Sequence, residues 1–240
     1  MCIRDSFYSC SAFGKNTSAI GHAYRRTLSP ASDEPWTDTG AVIVSHARDN
    51  FNAIDPNIVI DEEGNPWMTF GSFWGGIQLV RLTEDLTSTL KPEKLYTICT
   101  RQFEGASDVP SRSVNSVEAP FIFKHGGYYY LFVSYDFCCR GLKSDYKVVV
   151  GRSTRVTGPY VDKDGRELTR GGGSLVVDSN DEFVAIGHSA AYHFDGKDYF
   201  MAHGYSRSED GTSNLFFREM TWDEEGLSLI HISEPTRQEA

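Results

Sequence analysis

The chain has 240 residues, 40% hydrophobic and 13% aromatic, enough to bury one sizeable core in a single domain. A formal net charge of -10 argues against a nucleic-acid groove or an anionic membrane surface, both of which attract basic patches, and leaves a neutral or cationic partner as the better fit. No run is long and apolar enough to be predicted as a bilayer-crossing helix, and the start carries no signal-peptide pattern.

Taken in chain order, the first segment is foreign. "MCIRDS" can be encoded by ATG TGT ATA AGA GAC AG, whose reverse complement reads L-S-L-I-H-I, the run that begins at Leu227. The two ends therefore resemble one transposon-end adapter of a sequencing library, translated from both strands. Residues 1–6 and 227–240 are set aside as adapter-derived, which leaves 7–226 as the folding unit. A chain bounded in this way is expected to be a gene fragment, with strands and functional residues lying outside it. Setting Cys2 aside leaves Cys10, Cys99, Cys138 and Cys139, which form no Cys-x-x-Cys motif. The adjacent pair in "FCCRG" reads as small apolar packing more readily than as a redox switch.

Strand signals then follow one another: "AVIVS", "NIVI", "WMTFGSF", "IQLVRL", "FIF", "YYYLFVSY", "KVVVGRS", "SLVV", "AAYHF", "DYFMAHGY" and "NLFFREMTW". Turns such as "DEEGNP", "KHGG" and "FDGKD" separate them, and no segment keeps a helical period. The class is all-β with antiparallel hairpins.

Three segments superpose without gaps: "DPNIVIDEEGNPWMTFGSF", "EAPFIFKHGGYYYLFVSY" and "HSAAYHFDGKDYFMAHGY". Asp55, Glu118 and His188 then share the first position, and each unit runs on into a further strand, as propeller blades do. In that arrangement the three ionisable residues converge on one funnel. An incomplete first copy is visible as well. "FYSCSAF" matches the second strand of the Glu118 unit and "TSAIGHAYRRT" the third, so its innermost strand is expected upstream.

Two carboxylates facing a cleft rich in aromatic residues suit glycosidic bond hydrolysis, one protonating the leaving oxygen while the other activates water or attacks. Phe73 and Trp74 in "GSFWGG" offer flat faces to sugar rings. The blocks "FNAIDPNIVIDEEGNPWMTFGSFWGGIQL", "VEAPFIFKHGGYYYLFVSYDFCCRG" and "YKVVVGRSTRVTGPYVDKDG" together resemble the endo-1,5-α-L-arabinanases of glycoside hydrolase family 43, over most of residues 7–226.

The resemblance implies a five-bladed β-propeller, incomplete here in part of its first blade and its C-terminal closing region. It implies a secreted, monomeric enzyme that inverts configuration on arabinan or another plant cell-wall polysaccharide. Glu118 matches the general acid, and Asp55 the carboxylate that orients it and raises its pKa. Asn52, Ala53, Ile54, Asp55, Ser72, Phe73 and Trp74 match substrate-binding segments, with Gly14 a weaker match. His188 matches a histidine that approaches a central calcium through water, although "GHSAAY" has Ser189 where the family usually has Asn.

The family's general base, an Asp on the first innermost strand, has no counterpart in this chain. Asp33, Asp38 and Asp49 read as surface carboxylates, so the fragment itself is expected to be inactive. Alternatives are an exo-acting arabinofuranosidase or xylosidase of the same family, a non-catalytic carbohydrate-binding propeller, and a protein-interaction propeller without an acidic funnel.

Overall fold

The computed structural model describes residues 4–101, 115–223, 226, 228 and 229. They form four antiparallel sheets arranged in chain order. The first has three strands, β1 (Arg4–Cys10), β2 (Ser18–Arg25) and β3 (Thr37–Ser45). The second holds β4 (Asn57–Ile60), β5 (Pro66–Phe70), β6 (Ile77–Arg81) and β7 (Tyr96–Cys99). In the third are β8 (Val117–His125), β9 (Tyr128–Tyr135), β10 (Lys147–Ser153) and β11 (Ser174–Val177). The fourth contains β12 (Phe183–Phe194), β13 (Lys197–Ser206), β14 (Ser213–Trp222) and β15 (Ser228–Leu229). The only helical elements among the described residues are single 3-10 turns at Gly141–Lys143 and Leu168–Arg170.

Alternation along β9 explains how the sheets stack. Tyr129, Leu131 and Val133 point to one side and pack with Val59, Trp67, Ile77 and Leu79 of the second sheet. Tyr130 and Phe132 point to the other and pack with Phe183, Ile186, Phe200 and Phe216 of the fourth. A strand buried on both faces reads as a continuous apolar run, which is what "YYYLFVSY" is. Ile20, Val42 and Ile43 likewise meet Met68, Phe70 and Val80 between the first and second sheets.

Arg4–Ser6, set aside on sequence as adapter-derived, extend β1 and pair with Ala23–Arg25, and Ser228–Leu229 pair with Thr221–Trp222. The remaining adapter-like residues lie outside those described. Register identifies β1 with the second strand of the later sheets: Cys10 faces Ala19 as Ser134 faces Val148. This agrees with the pairing of "FYSCSAF" with "LFVSYDF".

Polar pins hold neighbouring sheets at their leading strands. Ile122 donates its backbone N–H to Asn57 Oδ1 at 2.9 Å, and Phe73 donates to the Val117 carbonyl at 2.8 Å. Asn57→Ala strands the Ile122 donor between two sheets. It is expected to cost about 1–3 kcal/mol in urea denaturation, whereas Leu175→Ala on an exposed position should change stability by under about 0.5 kcal/mol.

Candidate active site

The leading strands do not enter their hairpins in the register read from sequence. Glu118 faces Ser134 across β8 and β9, and the equivalent pair across β12 and β13 is Gly187 and His203. The turns agree, Gly126-Gly127 matching Asp195-Gly196. Glu118 is therefore equivalent to Gly187, and the residue that shares a position with Asp55 and His188 is Ala119. These three have left-handed φ values of 58°, 54° and 51°. Each also donates its N–H to a side chain of the preceding sheet: Asp55 to Ser9 Oγ at 3.2 Å, Ala119 to Asp55 Oδ2 at 3.2 Å, His188 to Ser134 Oγ at 2.8 Å. The gapless superposition missed this because five residues separate the paired Ile60 and Pro66 where four separate Lys124 from Tyr129 and His193 from Asp198, so aligning the second strands moves Asp55 one position out of line with Ala119.

One residue of register decides which hollow a side chain enters. Asp55, Ala119 and His188 line a central hollow of about 360 Å³, together with Phe7, Ser9 and Ser189. Glu118 and Ile54, one residue earlier, line a separate cleft of about 870 Å³. Gly14, Asn52, Ser72, Phe73 and Trp74 line the same cleft, so most of the expected substrate contacts gather around Glu118. Two do not. Ala53 is fully buried against the core of the first two sheets, and Asp55 opens into the central hollow behind the cleft.

Glu118 is held at both oxygens. Ser72 Oγ donates to Oε2 at 2.7 Å, Tyr146 OH donates to Oε1 at 2.7 Å, and Cys138 Sγ lies 3.7 Å from Oε1. Tyr146 is completely buried, and Gly187 makes room for it: a Cβ there would stand 2.0 Å from the Tyr146 ring. Neither Tyr146 nor Gly187 was singled out on sequence. The glycine at the position equivalent to Glu118 was the available signal, hidden by the one-residue slip. Phe137, Cys138, Cys139 and Arg140 complete the far wall, Phe137 lying 5.7 Å from the Phe73 ring.

Burial pushes the Asp55 carboxyl up from 3.8 to about 6, and the Glu118 charge adds to this, while His188 and the Ala119 N–H pull the other way. Burial also raises Tyr146 well above the usual phenol range, with the Glu118 charge as the next cause, so it remains a donor. His203, tilted 5.9 Å from Tyr146, is lowered by burial and by His188.

Ser189 Oγ is buried at the central hollow without a protein partner, a place that suits a water. Among the described residues no three His, Cys, Asp or Glu side chains gather as metal ligands. His188, Asp55 and two serine hydroxyls are fewer than the roughly six to eight ligands calcium takes, so they fit such an ion only with water completing its shell.

The chain is 48% identical over 226 residues to the extracellular exo-α-(1→5)-L-arabinofuranosidase ArbA of Cellvibrio japonicus (strain Ueda107), covering 93% of this chain and 65% of that protein. It is 40% identical over 217 residues to the extracellular endo-α-(1→5)-L-arabinanase 1 of Bacillus subtilis (strain 168), covering 90% of this chain and 62% of that one. It thus spans less than two thirds of the length of either. The solved structure of Cellvibrio cellulosa α-L-arabinanase complexed with arabinohexaose superposes with a TM-score of 0.90 at 46% identity, over 95% of this chain and 73% of that one. The family model for glycosyl hydrolases family 43 matches residues 3–228. With that match spanning nearly its whole length, the chain belongs to family 43 of the glycosyl hydrolases.

Proposed function

We propose that the protein of which this chain is a part hydrolyses α-1,5-linked L-arabinan with inversion, Glu118 giving its proton to the leaving glycosidic oxygen. The observation that carries this reading is a carboxyl group, fixed at both oxygens, in an open cleft walled by Phe73, Trp74 and Phe137. Asp55 acts from behind. Its Oδ2 holds the peptide N–H of Ala119, next to Glu118, and so helps to orient the acid. Gly14, Asn52, Ile54 and Ser72 serve with the aromatic rings as substrate contacts, a role supported by their place around Glu118 in the cleft.

The general base is assigned to a strand alongside β1 that this chain does not contain. Supporting this, the first sheet has three strands against four in the others, and β1 has the register of a second strand. Inverting enzymes hold the two carboxyls about 6.5–9.5 Å apart to admit water. Sheets stacked face to face around the Asp55 hollow support a five-bladed propeller for the whole protein. The two curated relatives are both named extracellular, which supports secretion.

An exo-acting arabinofuranosidase is the second reading, favoured by the 48% identity to an enzyme so named. Products released from linear arabinan by the full-length protein separate the two: monosaccharide alone from the outset for exo action, mixed oligosaccharides for endo.

Without the base, the 240-residue chain is expected to release no measurable sugar from linear arabinan while still binding arabino-oligosaccharides. Trp74→Ala should weaken that binding about tenfold, about 1.4 kcal/mol, by calorimetry. Turnover that survives Glu118→Gln would sink the acid assignment.

Asp55 gives a pH signature. Its folded pKa is raised, so its contribution to stability is full below about pH 3.8 and is lost as pH rises through about 6. Asp55→Asn keeps an oxygen for the Ala119 N–H and removes the buried charge. The variant should exceed the native chain in urea stability at about pH 7.5, by on the order of 3 kcal/mol at most, with the gap closing by about pH 4.

A further inference from the structure

Cys138 and Cys139 stand side by side on the wall of the Glu118 cleft, in the loop after β9. Cys138 is half-buried against Tyr146, Val184, Ala185 and Tyr205, with Sγ directed to Glu118 Oε1 at 3.7 Å. Cys139 is exposed. Both residues line this wall as chain neighbours, so their sulfurs sit on adjacent side chains. The loop is tied down on both sides of the pair: Phe137 N–H donates to Asp145 Oδ1 at 2.9 Å, Cys139 N–H to Tyr205 OH at 2.7 Å, and Arg140 N–H to Ser144 Oγ at 3.1 Å.

We propose that Cys138 and Cys139 are a peroxide-sensitive dithiol whose oxidation closes a vicinal disulfide on the cleft wall and removes a hydrogen-bond donor from Glu118. The exposed Cys139 sulfur meets the peroxide first. It attacks the peroxide oxygen, the O–O bond breaks, and sulfenic acid and an alcohol (or water, from hydrogen peroxide) result. The Cys138 sulfur then attacks the Cys139 sulfur. Its proton passes to the Glu118 carboxylate, hydroxide leaves Cys139, and the proton returns to that hydroxide as water. Two thiols are oxidised by two electrons in all, and one peroxide is reduced.

The half-buried member needs this help. Burial, the Cys139 hydrogen bond and the Glu118 charge all push its thiol upward, so it forms little thiolate unaided. Glu118 is placed to take the proton at the moment of attack. Adjacent Cα atoms stand about 3.8 Å apart, below the usual range of about 4.4–6.8 Å for a disulfide. The closed ring is therefore strained and easily reduced, as reversible disulfides are. Cys99 supplies an internal contrast: fully buried and in contact with Tyr135 OH at 3.6 Å, its thiol is pushed up to about 12.

The proposal does not depend on the hydrolase reading, and its test needs no turnover. The native chain is exposed to a small excess of hydrogen peroxide, alkylated in denaturant and cut with trypsin. Residues 125–140 form one tryptic peptide that contains both cysteines and no other. That peptide should be lighter by two hydrogen atoms and unalkylated, with dithiothreitol restoring two reactive thiols, while Cys99 stays alkylatable throughout. In Glu118→Gln, with folding checked by circular dichroism, ring closure should slow at least about tenfold and dimedone should trap Cys139 as sulfenic acid. Two alkylated cysteines after peroxide, direct passage to sulfinic acid, or linkage between chains would each overturn the dithiol. Closure at an unchanged rate in Glu118→Gln would overturn the proton transfer.

Discussion

One hydrogen bond organises the molecule around its cleft: the N–H of Ala119 to the carboxylate of Asp55. It ties the third sheet to the second at the point where both leading strands turn through left-handed backbone. Asp55 donates to Ser9 in the same way and His188 to Ser134, so each sheet is hung from a side chain of the one before. Non-glycine residues occupy that backbone region only at a cost, and the repeated bond offsets it at each junction. With the junctions fixed, alternation along the strands does the rest, sending apolar side chains to both faces of each sheet and polar ones to the hollows at the ends.

Much of this was legible in the residues. "NIVI", "YYYLFVSY", "KVVVGRS" and "SLVV" are strands from end to end as read, because their β-branched and aromatic runs stop at glycine or polar turns. β7, "YTIC", was missed, being four residues without alternation between polar flanks. The first half of β12, Phe183–Gly187, was missed as well, because two bulges break its period. The longer turn at 61–65 hid the true register of Asp55 against Ala119, and with it the partition of ionisable groups between two hollows.

The site was legible where side-chain type announces chemistry and illegible where contact depends on a neighbouring sheet. Glu118, Ser72, Phe73 and Trp74 stood out and do meet in the cleft. Ala53 did not behave as its flanking residues do, since its methyl turns into the core between Asn52 and Ile54, which reach the cleft wall. Tyr146 could not be found from its own segment, where "YKVVV" reads as the start of an ordinary strand. Its hydroxyl reaches Glu118 only because β10 lies two strands away in a folded sheet and Gly187 of the next sheet yields space.

The cleft and the central hollow stand back to back, with little more than the Glu118-Ala119 peptide between them. A substitution at Asp55 changes the electric field at Glu118 without altering any surface that a molecule in the cleft would touch. Changes at Trp74 or Phe137 reshape the cleft and leave that field alone. The field at the cleft floor and the shape of its walls can therefore drift independently in this architecture, so a lineage could change what enters the cleft without having to rebuild its floor.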